Sequence, residues 1–129
     1  MATAVHSKSD QARAAIRSFF RIMELWKVTP EQQMVVLGID AKSTYYHWKK
    51  HEGGSLSRDT LERISYVIGI FKALQILLPE QTLADSWVHR PNTAATFRGQ
   101  SPLERMLKGQ VSDLFVVRQY LDAERGGWG

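Results

Sequence analysis

The stretch that decides the fold is Thr29–His51, which reads TPEQQMVVLGIDAKSTYYHWKKH. Its opening predicts the start of a helix. Threonine is a good N-cap, proline suits the first helical position, and Gln32 stands where it completes a capping box. Gly38 should end this helix, because glycine readily takes the left-handed conformation that follows a last helical turn. A second helix beginning at Asp40 or Lys42 runs to the end of the stretch, so the sequence predicts two short helices joined by a tight turn.

The second of these helices has the composition of a DNA recognition helix, with three lysines, two histidines and no acidic residue. Tyr45 and Trp48 are three residues apart and share a face, which predicts that they anchor the helix to the core. The opposite face would point toward DNA. The first turn of a recognition helix contacts base edges and phosphates in the major groove. The residues predicted to contact DNA are Lys42, Ser43, Thr44, Tyr46 and Lys49, with Arg58 of the next helix on a phosphate.

A solvated basic helix is the competing interpretation of this segment. The spacing from Gly38 to Trp48 is one residue longer than in the common helix-turn-helix pattern, which predicts a looser turn. His47 and His51 are four residues apart, a spacing that suits a metal ion, but no third ligand is evident nearby. We therefore expect no metal site, and expect these histidines to lie against solvent or phosphate.

The rest of the chain also predicts helices, so the expected fold class is all-α. Apolar residues recur at three- and four-residue steps in the first helix, and Ser57 caps a long fourth helix that Pro79 ends or kinks. The predicted helices outside the opening stretch cover about residues 9–27, 57–78, 80–89, 101–109 and 111–124. The residues predicted to line the buried face of the fourth helix are Leu61, Ile64, Ile68, Phe71 and Leu78, with Val67 and Leu74 beside them.

Charge divides the chain into two parts. Residues 1–78 hold 11 lysines and arginines against 7 acidic residues, whereas residues 79–129 hold six of each. We therefore predict a basic module over residues 1–78 that meets a polyanion such as DNA, and a neutral module over residues 79–129 that meets another partner. The chain has no cysteine, no apolar stretch near the roughly 18 residues of a membrane span, and no signal-peptide pattern, so a cytoplasmic protein without a membrane partner is expected.

The sequence resembles the Xre/MbcA/ParS antitoxin family over about residues 30–129. The front half resembles the family's Xre-like helix-turn-helix region at residues 43–49 and 56–66. The back half resembles its toxin-binding domain, and the matching positions are Ala84, Trp87, Pro91, Asn92, Gly99, Ser101, Pro102, Leu103, Glu104, Leu107, Gly109, Val111, Tyr120, Leu121 and Gly126.

The resemblance implies an antitoxin of a type II toxin–antitoxin system. Its partner would be a RES-domain toxin that consumes NAD, encoded next to it, whose active site the C-terminal region occludes. The front module would repress the operon by binding operator DNA. Arginines suit partner carboxylates, two glycines let the backbone enter a narrow cleft, and tryptophan supplies an aromatic anchor. The residues expected to contact the toxin are Arg90, Arg98, Arg125, Gly126, Gly127 and Trp128.

Two other functions remain open at this point. One is a phage-like transcription regulator without a toxin, and the other is a toxin-binding protein that no longer binds DNA. An enzyme is not expected, because the sequence has no phosphate loop, no Cys–His arrangement and no zinc-protease motif, and no cofactor is indicated. A homodimer is expected because helix-turn-helix proteins read half-sites in pairs, and Ile70, Ile76 and Leu77 are the candidate dimer surface.

Overall fold

A computed structural model describes residues 8–126 and confirms the all-α fold class. These residues form seven α-helices and one short 3₁₀ helix, with no strand among them. The helices are α1 (Lys8–Leu25), α2 (Pro30–Leu37), α3 (Lys42–His51), α4 (Arg58–Leu77), α5 (Gln81–Ser86), α6 (Pro102–Met106) and α7 (Val111–Gly126), and the 3₁₀ helix is Trp87–His89.

The helix starts and stops that depend on local chemistry lie where the sequence predicts them. Thr29 and Gln32 form the capping box of α2, and Ser101 and Glu104 form that of α6. Ser57 caps α4 by accepting a hydrogen bond from the backbone N–H of Thr60. Each of these contacts spans three residues, which is why the sequence alone identifies them.

Helix α4 lies at the centre of the fold and contacts α1, α2, α5 and α7. Because neighbours cover it on several sides, its buried surface is broader than one stripe and is rotated from the predicted one. Ile68, Phe71 and Leu78 are partly buried and pack against the edge of the core, whereas Leu61 is partly buried and does not pack against it, so the prediction was wrong for Leu61. The fully or nearly fully buried apolar residues of α4 are Ile64, Val67, Ile70, Ala73 and Leu74.

This packing corrects the candidate dimer surface. Ile70 is completely buried inside the protein and cannot contact a second copy. Ile76 is 58% exposed and Leu77 is partly buried, so of the three candidates only these two, in the last turn of α4, keep apolar surface. The correction follows from α7, which packs along α4 and covers residues that look peripheral on an isolated helix.

One hydrophobic core includes residues from both predicted modules. Leu114, Val117 and Leu121 of α7 belong to the same cluster as Ile16 and Phe19 of α1. The imidazole Nε2 of His89 also contacts the carbonyl oxygen of Trp26, which joins the 3₁₀ helix to the end of α1. The division at residue 78 remains a prediction, with α4 contributing to the packing of both parts.

Helix α7 is longer than expected. It continues to Gly126, so the prediction that the chain leaves the helix before Arg125 was wrong. Residues 122–126 are all exposed, so no neighbouring element interrupts the last turn. A cation near the C-terminus of a helix is also favourable, because it complements the helix dipole. Within residues 8–126, no helix is long and apolar enough to cross a membrane.

Candidate functional site

Helix α4 fixes the turn between α2 and α3. The Thr60 hydroxyl donates to the carbonyl oxygen of Leu37, and the Arg63 guanidinium reaches the carbonyls of Val35 and Val36 at 3.4 and 3.5 Å. These are carbonyls at the end of α2, which have no partner inside the helix. Side chains from a third helix thus hold the helix-turn-helix in one arrangement.

Gly38 closes α2 as the sequence predicts. Its φ of 73° is the left-handed conformation that suits glycine, and an added Cβ would lie 2.7 Å from Nε of Arg63. The next residue, Ile39, donates its N–H to the carbonyl of Met34, which completes a Schellman-type ending. The four residues that separate α2 from α3 therefore start with a hydrogen-bonded turn, where the sequence had predicted a looser one.

A buried polar chain anchors α3 to α2. The Tyr45 hydroxyl donates to Oε1 of Gln33 at 2.6 Å, and Nε2 of Gln33 donates to the carbonyl of Val28 at 2.8 Å. Burial, with smaller contributions from Tyr46 and Glu31, raises the pKa of Tyr45 to about 12. Tyr45 and Trp48 are both buried, which confirms that they anchor the helix.

The residues predicted to contact DNA lie on accessible faces of the protein. Lys42, Ser43, Tyr46 and Lys49 are exposed, and Thr44 is partly buried. Arg58 is exposed at the start of α4 and forms no ion pair with any residue between 8 and 126. These positions are compatible with a nucleic-acid surface, and the assignment of contacts remains a prediction.

Lys49 lies on the flank of α3 that faces α1. Its ammonium group is 5.7 Å from the ring centroid of Phe20 and 5.9 Å from that of Tyr45. At about 100° per residue, Ser43 and Lys50 lie most directly opposite the buried Tyr45 and Trp48, with Tyr46 and His47 on either side of them. Sequence reasoning left Lys50 out of the DNA-contact set, although counting helical turns from the two buried aromatic residues would have included it.

The back half of the chain is built around an aromatic cluster. Trp87 packs edge-to-face on Phe97 and stacks on Tyr120, with centroids 5.9 and 6.3 Å away. Nε of Arg105 donates to the buried carboxylate of Asp113 at 2.9 Å, and its Nη1 donates to the carbonyl of Thr96. The ion pair joins α6 to the start of α7, while the bond to Thr96 holds the loop before α6, and no sequence signal indicated either contact.

The residues predicted to bind the toxin are not joined into one cluster. Arg90 donates to the Ser86 hydroxyl and the Leu83 carbonyl, so it closes the end of α5. Arg98 is exposed with a φ of 51°, and Arg125 is exposed in the last turn of α7. No hydrogen bond or ion pair within residues 8–126 connects the three arginines. Gly126 is the exposed last residue of α7, while Gly127 and Trp128 lie outside the described residues.

An apolar cleft of about 270 Å³ lies beside the end of α7. Arg90 and Glu124 are its only charged lining residues, and both are exposed. Sequence reasoning missed the cleft, because its walls come from three separate helices. Its apolar lining residues are Leu74, Leu77, Leu78, Trp87, Tyr120 and Leu121.

Within the described part of the chain, no group of three or more His, Cys, Asp or Glu residues could hold a metal ion. His47 and His51 are in contact, with ring centroids 4.5 Å apart, and both are exposed.

Comparison with known proteins identifies both halves of the chain. Residues 6–69 match the family model described as the antitoxin Xre-like helix-turn-helix domain. Residues 73–127 match the model described as the antitoxin Xre/MbcA/ParS C-terminal toxin-binding domain. The chain is also 47% identical over 121 residues to the uncharacterized protein y4oB of Sinorhizobium fredii (strain NBRC 101917 / NGR234), which covers 92% of each chain. The protein therefore belongs to the Xre/MbcA/ParS antitoxin family and consists of an Xre-like helix-turn-helix domain followed by a toxin-binding domain.

Proposed function

We propose that this antitoxin neutralises a RES-domain toxin by occluding its NAD-degrading active site with the C-terminal region. The observation that carries the proposal is the exposed last turn of α7, at the end of the region that matches the toxin-binding domain. Nothing lies within 4 Å of a Cβ added to Gly126, so this part of the surface is open to a partner. The apolar cleft beside it offers a second contact area.

The residue types of the C-terminal region support its proposed role in occluding the toxin's active site. A guanidinium group can form two parallel hydrogen bonds with one carboxylate or phosphate. Carboxylates line nucleotide-binding sites, and the phosphates of the nucleotide occupy them. Arg125 would contact the toxin together with Gly126, Gly127 and the Trp128 side chain, which would serve as an anchor. Arg90 and Arg98 would contact the rim of the toxin's active site. In this proposal the antitoxin is a binding protein with no catalytic residues and no cofactor of its own.

We further propose that the helix-turn-helix domain represses the operon by binding operator DNA as a homodimer. The exposed basic face of α3 supports this, since helix-turn-helix proteins insert the corresponding face into the major groove. Such a protein would act in the cytoplasm, where operator DNA and toxin are both present. Residues 1–78 would then form the DNA-binding module and residues 79–129 the toxin-binding module.

Co-expression with the neighbouring reading frame tests the identity of the partner. We expect that frame alone to stop growth and deplete cellular NAD, and expect the antitoxin to restore both and to co-purify with its product. Lys72→Ala, an exposed change on α4, is the matched control and should rescue fully. A neighbouring product that leaves NAD unchanged, or that the antitoxin neither binds nor neutralises, would contradict the proposal. A chain that binds operator DNA without any toxin partner would be a phage-like regulator.

A further inference from the structure

A second basic surface lies next to α3, where the start of α1 meets the turn between α3 and α4. It is a cleft of about 720 Å³ whose charged or titratable lining residues are Arg13, His47 and His51. None of the lining residues is acidic. All three basic side chains are exposed, and within residues 8–126 Arg13 takes part in no ion pair. A cleft with this lining is suited to an anion.

The turn at the floor of the cleft adds backbone donors. Gly53 and Gly54 have φ values of 151° and 159°, and a Cβ on Gly54 would lie 2.7 Å from the Trp48 indole. A Cβ on Gly53 would lie 3.1 Å from Cγ of Arg13, so the arginine stem packs on the turn. Among the described residues, no acceptor is bonded to the N–H groups of Gly54 and Ser55. Free N–H groups beside a guanidinium and two imidazoles form a set of donors for a phosphate group.

The position of the cleft beside α3 favours a phosphate of the DNA backbone over other anions. His47 lies one helical turn after Ser43 on the outward side of α3, so the row that would face DNA continues into the cleft. DNA on α3 would therefore bring its backbone toward Arg13 and the glycine turn. We propose that this cleft holds a phosphate of the DNA backbone. The inference rests on the proposed DNA-binding function.

The test is fluorescence anisotropy of the full chain with a duplex from the region upstream of its reading frame, and with an unrelated duplex. We expect Arg13→Gln to weaken binding to both about tenfold and to reduce the slope of log affinity against log salt by about one. His47→Ala/His51→Ala should also weaken binding to both duplexes, because it removes two donors of the cleft. His89→Gln, a histidine change outside the cleft, should bind both duplexes as the wild type does.

A second measurement separates the two possible sources of the phosphate, DNA and a free phosphate compound. Inorganic phosphate is titrated into the protein without DNA while the signals of His47 and His51 are followed by NMR. Saturation by free phosphate together with unchanged DNA binding of Arg13→Gln would overturn the inference and make a small phosphate compound the ligand. If the wild type binds DNA and Arg13→Gln binds it equally well, the inference is overturned, while the proposed DNA binding stands. A wild type that binds neither duplex would contradict both.

Discussion

At the level of single residues, Tyr45 carries most of the polar connection between α2 and α3. Tyr45→Phe keeps the ring but leaves the buried Oε1 of Gln33 without its donor. We expect the free energy of unfolding to fall by about 1–3 kcal/mol, the usual effect of an unsatisfied buried polar group. Urea unfolding near neutral pH measures this, and Tyr46→Phe, which changes an exposed ring, should have little effect.

The same residue predicts a pH dependence. Burial raises the pKa of Tyr45 from 10.0 to about 12, so the folded protein retains a proton that the unfolded chain loses. The resulting contribution to stability is complete below pH 10 and is lost as the pH rises toward 12. Urea unfolding between pH 9 and 11 should show a steeper decline for wild type than for Tyr45→Phe. Equal declines would mean that the Tyr45 hydroxyl does not titrate differently in the two states.

Neighbouring lysines of α3 should differ in their effect on DNA binding. Lys50 lies on the outward side opposite the buried aromatic residues, while the Lys49 ammonium lies over two rings. We expect Lys50→Ala to weaken operator binding in a salt-dependent way, and Lys49→Ala to have the smaller effect. Anisotropy at several salt concentrations measures both. Unchanged binding of Lys42→Ala/Lys50→Ala would remove α3 from the DNA interface.

At the level of helices, α4 determines how the helix-turn-helix is held. Arg63 donates to Asp59, reaches two carbonyls of α2 and lies against Gly38. Arg63→Met should keep much of the packing but leave the Val36 carbonyl without a donor, while Val35 still accepts from the Gly38 N–H. We expect the free energy of unfolding to fall by about 2 kcal/mol. Arg21→Met, which breaks an exposed pair with Glu24, should change it by less than about 0.5 kcal/mol. Equal effects in urea unfolding would contradict the capping role.

The sequence predicts those elements whose causes are local. Capping boxes and the glycine end of α2 depend on residues three or four positions apart, so they could be read directly. The buried face of α4 could not be predicted from the sequence, because it depends on where α1 and α7 pack. The ion pair between Arg105 and Asp113 also joins separate elements, and its geometry exists only after α6 and α7 meet. The apolar cleft beside α7 was missed for the same reason.

At the level of the whole molecule, the shared core predicts that both modules unfold together. Val117 of α7 is completely buried in a cluster that includes Ile16 of α1. Val117→Ala should lower the free energy of unfolding by about 2 kcal/mol and reduce amide hydrogen-exchange protection in α2 as well as in α7. Gln119→Ala, on the exposed side of α7, is the control. Loss of protection confined to α7 would show that the modules unfold separately.

The central claim is that the C-terminal region of this antitoxin occludes the active site of a RES-domain toxin. The most direct measurement is NAD consumption by the purified toxin, titrated with the full chain and with a chain that lacks Gly126–Gly129. The circular dichroism spectrum and the unfolding midpoint of the shortened chain are measured alongside, so that a loss of inhibition is distinguished from a loss of folding. The account predicts that the full chain abolishes NAD consumption and the shortened chain does not. Complete inhibition by the shortened chain would contradict it.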